Sequence, residues 1–145
     1  MKKIIFVSIF LMSLAVASFA QIKKKVKVSR KQGIQNIMVN KVIWGTAETY
    51  GHLLSYELTT EIRDLKGVKI ASAKFNTQTP REEEIPYIVL TFTDSQRVVY
   101  KKTNSFYFGD EIARFLVDND ALTIEGLNKA GEDKMVAFYS TRPPK

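Results

Sequence analysis

The stretch YIVLTFTDSQRVVYKK, residues 87–102, decides the fold class. Its first arm alternates, with Ile88, Leu90 and Phe92 on one face and Tyr87, Val89 and Thr91 on the other. Asp94, Ser95 and Gln96 then interrupt the apolar run, and a second β-rich arm follows to Lys102. Two such arms joined by a short polar turn read as a β-hairpin. An arm that is apolar on both faces belongs near the middle of a sheet or between two layers.

The chain on either side repeats this pattern. HLLSYELTTEI (52–62) places Leu54, Tyr56, Leu58, Thr60 and Ile62 on one face and Ser55, Glu57, Thr59 and Glu61 on the other, a strand with one wet side. RDLKG (63–67) reads as a turn, and GVKIASAKF as the next strand. Upstream, GIQNIMVNKVIWG (33–45) is an Ile- and Val-rich strand bounded by glycines. NTQTPREEEIP (76–86), with two prolines and a charge run, is an exposed loop.

One helix is expected, near 109–119, in GDEIARFLVDND. Ile112, Phe115 and Leu116 form its apolar stripe, Asp110 caps it, Glu111 favours its positive end, and Asn119 suits a left-handed exit. ALTIEGL then reads as a strand, NKAGED as a turn and KMVAFYS (134–140) as the last strand. Connections this short suit antiparallel pairing, since parallel strands need long crossovers. The expectation is a mainly β domain of about seven antiparallel strands. It would form an open barrel or two-layer sandwich, or one curved sheet packed on the helix.

The front of the chain is of another kind. MKKIIFVSIFLMSLAVASFA has a basic start (Lys2, Lys3), an apolar run from Ile4 to Ala17, and small residues Ser18 and Ala20 before Gln21. This is the pattern of a secretory signal peptide cleaved after Ala20, implying a periplasmic or secreted protein. The alternative is an N-terminal membrane anchor, favoured by the larger number of Lys and Arg after the apolar run than before it. The organisation expected is a signal at 1–20, a basic flexible leader at 21–31, a β-rich domain at 32–142 and a tail at 143–145.

The leader QIKKKVKVSRK holds Lys23, Lys24, Lys25, Lys27, Arg30 and Lys31. The whole chain has a formal charge of +7, but residues 32–145 carry fourteen Lys and Arg against fifteen Asp and Glu, a formal −1. A domain that is near neutral without its leader has no excess charge from which to build a phosphate-binding face, so nucleic acid is not expected as a partner. The leader itself is a candidate arm for an anionic membrane surface. With no Cys and a single His, neither disulfides nor a structural zinc site is expected.

No catalytic or cofactor motif stands out, and no cofactor or metal is expected. His52 has Glu48 and Ser55 nearby in sequence, but Ser55 falls on the opposite strand face, and no nucleophile elbow occurs. Glu82, Glu83 and Glu84 alternate sides in an extended loop and do not converge. Asp118, Asp120 and Glu125 lack the glycine and terminal glutamate of a calcium loop. Aromatic residues fill cores but also line interfaces, and Trp44, Tyr50, His52 and Tyr107 are the candidates for a binding surface. Together these features suggest an exported, non-enzymatic binding domain with a protein or envelope component as partner. A small barrel carrying an apolar ligand is the alternative, and a hydrolase with an unrecognised site the third.

Overall fold

The computed structural model describes residues 23–29, 33–52, 57–76, 86–103, 108–139 and 141–142. Seven strands follow in chain order: β1 (Val26–Lys27), β2 (Gly33–Val39), β3 (Val42–His52), β4 (Glu57–Asp64), β5 (Lys69–Asn76), β6 (Tyr87–Phe92) and β7 (Val98–Lys102). Each pairs antiparallel with the next, so the sheet is a simple meander that curls into a half-barrel. Helix α1 (Phe108–Asp118) crosses its concave side against β1, β3 and β4. A two-stranded hairpin, β8 (Leu122–Thr123) with β9 (Gly126–Leu127), leads to helix α2 (Lys129–Phe138), which lies against β7. The mainly β class and antiparallel strands expected from the sequence are what the chain adopts, in the curved-sheet form.

The concave face is apolar because every second residue of the strands points to it. Ile37 and Val39 of β2, Ala47 of β3, Ile62 of β4, Ala71 and Ala73 of β5, Ile88, Leu90 and Phe92 of β6, and Val99 of β7 are buried there. From α1, Ile112, Ala113, Phe115, Leu116 and Val117 close over them. Each large side chain removed from water in this way contributes about 1.5–3 kcal/mol. Gly109, at the start of α1, lies close to Ala47 and the Thr49 hydroxyl of β3. The polar pair beneath is satisfied internally, Thr49 Oγ1 lying 2.8 Å from Thr60 Oγ1.

Several elements differ from expectation. Residues 33–45 are not one strand. Asn40 and Lys41 both take positive φ, +50° and +70°, and turn the chain back in a two-residue hairpin. Such turns need φ > 0 at both central positions, which Asn tolerates and Lys only under constraint. Beyond the turn, Trp44 is the extra residue of a β-bulge between the pairs Ile37–Gly45 and Met38–Ile43. The leader was expected to be flexible, yet Val26 is 1% exposed and pairs with Val39 as the edge strand. Burial of Val26 and partial burial of Val28 draw this segment onto the core.

The C-terminal third differs most. KMVAFYS is not a strand; residues 129–138 are helical, and the expected turn NKAGED supplies the helix start. Asn128 caps it, accepting from the Ala130 N–H, and Gly131, Glu132 and Met135 form its buried face at helical spacing. Gly131 is required there, since a Cβ would lie 2.2 Å from the Asp120 carbonyl oxygen. ALTIEGL is a two-residue-per-arm hairpin outside the main sheet. At α1, Asp110 lies within the first turn, where its Oδ1 accepts from Arg114 Nε at 3.1 Å. The left-handed exit residue is Asp120, while Asn119 is buried and donates from Nδ2 to the Phe115 carbonyl. The signal segment 1–20, Arg30, Lys31, Tyr107, most of the loop at 76–86 and the tail at 143–145 lie outside the described residues.

Candidate binding surface

Trp44 and Tyr50, the candidates whose side chains are described, do not meet in one cleft. Trp44 is half-buried at the β3 bulge, packed on the core, with Lys24 Nζ 5.7 Å from its ring centroid. The same ammonium lies 2.5 Å from Asp120 Oδ1 and 3.4 Å from the Val117 carbonyl. One lysine thus joins the leader, the indole face and the negative end of α1. Tyr50 is six residues further along β3, about 20 Å at strand rise. His52 is the last residue of that strand, opposite Glu57 in register.

Tyr50 is part of an ionic group on the convex face. Its phenol donates to Glu61 Oε1 at 3.1 Å, and Glu61 also accepts from Arg63 Nη2 at 2.8 Å and Lys69 Nζ at 3.1 Å. The Lys69 hydrogen bond, with help from Tyr50 and Arg63, holds the Glu61 carboxyl below its ordinary range. Partial burial and the Glu61 carboxylate push the Tyr50 phenol above its ordinary value. A carboxylate with three donors is a cross-strand tie rather than a vacant acceptor. Among the described residues, no three His, Cys, Asp or Glu side chains gather as a metal site.

A groove of about 520 Å³ runs between the leader, β2 and the start of α1. Lys27, Ser29, Gln35, Asn36, Asp110 and Arg114 line it together with Val28 and Met38, and its wall is about half polar and half apolar. The apolar-carrier alternative calls for an apolar cavity inside the curl of the sheet. In the described residues, that space holds the side chains of α1 and the strands.

The end of the sheet where its described hairpins turn is different. The pairs Val39–Val42, Gly45–Asp64 and Thr91–Val98 bring the β2–β3, β4–β5 and β6–β7 turns to one end. The β8–β9 hairpin reaches the same end, because Gly126 lies against the Asp64 side chain. Among the described residues, eight large apolar ones are exposed: Ile34, Val42, Ile43, Tyr50, Leu65, Val68, Ile124 and Phe138. Five of them, Val42, Ile43, Leu65, Val68 and Ile124, belong to these hairpins, each 39–53% exposed. Asp64 fixes the β4–β5 turn by accepting from the backbone N–H groups of Lys66 and Val68, so Leu65 and Val68 are held outward on an ordered loop.

Exposed Lys41 and Lys66 flank these side chains. The leader adds exposed Lys23 and Lys25, and it arrives at this end, since the Asn40 N–H donates to the Lys25 carbonyl. Asp94 and Glu125 are the exposed acids on the tips of the described hairpins here. Of the expected arm, then, Lys24 is committed to an internal contact, Lys25 lies beside the Asn40–Lys41 turn, and Lys27 lines the groove.

No protein family, no curated protein and no solved structure matches this chain. The reading of its surface therefore rests on its own residues. In sequence, Val42 and Ile43 read as strand interior; the Asn40–Lys41 turn exposes them. Leu65, an apolar residue within the turn RDLKG, was the one visible signal.

Proposed function

We propose that this chain is an exported, non-enzymatic binding domain that engages an envelope component through the turn end of its half-barrel. The single observation that carries the reading is the gathering of Val42, Ile43, Leu65, Val68 and Ile124 as exposed side chains on the hairpins at that end. Exposed apolar groups collected on one side of a domain mark contact surfaces, whereas scattered ones are ordinary. Tight turns hold these side chains in place, so little order must be created on binding. Export is supported by the signal-like run Ile4–Ala20 in the sequence.

The test is co-fractionation from the envelope of the producing cell. The native protein should be retained with envelope material, and the double variant Leu65→Ser/Val68→Ser, with unchanged circular dichroism, should be released. Equal retention of both proteins would reject this face as the contact surface. Recovery of all the protein from the cytoplasm would reject export.

A further inference from the structure

The turn end carries a second property beside its apolar tips, and the two together point to one kind of occupant. We infer that this end docks onto an anionic lipid bilayer, the apolar tips entering the headgroup region and the lysines contacting lipid phosphates. The inference rests on the reading above and names the partner class for the same face.

Three observations carry it. First, Leu65, Val68, Val42, Ile43 and Ile124 are presented on hairpin tips rather than in a concave groove. A convex set of aliphatic tips suits a soft, deformable interface, into which apolar groups sink to shallow depth. A folded peptide or ligand would instead call for a recess. Second, Lys41 lies next to Val42, and Lys66 lies between Leu65 and Val68, so cations alternate with the inserting groups. Lys23 and Lys25 add to that charge, against Asp94 and Glu125, while the exposed acids Asp120 and Asp133 are paired with Lys24 and Arg97. Basic side chains beside shallow apolar groups are the combination that anionic leaflets attract.

Third, the chain itself approaches from this side. β1 runs away from the Asn40–Lys41 turn, so Lys23 to Lys25 extend past the turn end.

The chain's only tryptophan makes the test direct, because Trp44 adjoins Ile43 at this end. The protein recovered from the envelope is mixed with phosphatidylcholine vesicles, and with vesicles containing phosphatidylglycerol. Both carry a nitroxide quencher on the lipid. Expected are binding to the anionic vesicles at least about tenfold tighter than to the neutral ones, and weakening by added salt. Quenching of Trp44 should accompany binding. Lys41→Glu/Lys66→Glu should abolish the preference for anionic lipid, and Leu65→Ser/Val68→Ser should reduce quenching on both vesicles.

Melting curves of the variants confirm that they remain folded, and Lys74→Glu, on an exposed strand position away from the tips, serves as the charge control. If the native protein binds both vesicles equally, or if the lysine variant behaves like the Lys74 control, the inference fails. It fails equally if the tips are needed to capture an envelope protein while Trp44 is never quenched. That last result would leave the binding-domain reading standing, whereas loss of both envelope retention and vesicle binding would sink the two together.

Discussion

The two helices are fixed to the same sheet by opposite means. Helix α1 turns a continuous apolar stripe to the concave face, and Ile112, Ala113, Leu116 and Val117 are no more than 2% exposed. Helix α2 buries only Met135 among its large apolar residues, with Val136 partly covered. Its first turn is held by charge instead. Glu132 is 1% exposed and accepts from Ser95 Oγ at 2.5 Å, Arg97 Nη1 at 3.2 Å and Lys129 Nζ at 3.2 Å. Arg97 also pairs with Asp133, so the β6–β7 turn and α2 are clasped through two carboxylates. Apolar burial is non-directional and insensitive to pH, whereas an ionic clasp depends on every partner being present and ionised.

The largest expected effect separates the two on the α1 side. Leu116→Ala, at a fully buried position, should lower stability by about 3 kcal/mol, because the methyl groups lost leave a cavity that the sheet cannot close. Urea unfolding would measure it. A loss under about 1 kcal/mol would mean that α1 is not the main cover of the concave face. The α2 clasp should be the weaker of the two. Arg97→Ala should lower stability, by less than Leu116→Ala does, because the guanidinium is largely solvated. The cost arises because Glu132 stays buried with a reduced set of donors. Adding Glu132→Gln to Arg97→Ala should therefore recover part of the loss, and strict additivity of the two changes would contradict the clasp.

This contrast explains what the sequence could show. The stripe Ile112, Phe115, Leu116 announces α1 because burial leaves a 3.6-residue period in the apolar residues. At the end of α2, Met135 to Tyr139 form an unbroken apolar run with no helical period, which reads like a buried strand, while the burial that fixes the helix start lies in Gly131 and Glu132. A buried glutamate looks like a solvated one in sequence, since its partners Ser95 and Arg97 are more than thirty residues away. The same holds for β1. Val26 and Val28 alternate with lysines in a legible strand pattern, but the net charge dominates the reading of that segment as a flexible leader. The exposed apolar turn end is the least legible, for Val42 and Ile43 become tips only through the positive φ of Asn40 and Lys41.

The smaller effects test how the α2 clasp is built. Asn128→Ala removes the side-chain acceptor for the Ala130 N–H and should cost about 1 kcal/mol, with opening confined to α2 in hydrogen exchange. Acid should then loosen the same helix. The Asp133 carboxyl is held below its ordinary value by its hydrogen bond to Arg97 and, next, by Lys129. A carboxyl depressed in the folded state stabilises the fold fully above its unfolded pKa of about 3.8, and that contribution disappears as pH falls through the lower folded value. The Tyr139 ring packs edge-on against Phe115 with centroids 4.6 Å apart, so its near-ultraviolet signal reports whether the end of α2 stays docked. In the native protein that signal should decline below the ordinary carboxylate range before α1 melts. In Asp133→Asn the part of the decline due to this carboxyl should vanish. An unchanged acid profile in that variant would show that the Asp133 pair contributes nothing to docking, leaving buried Glu132 as the sole carboxylate of the clasp.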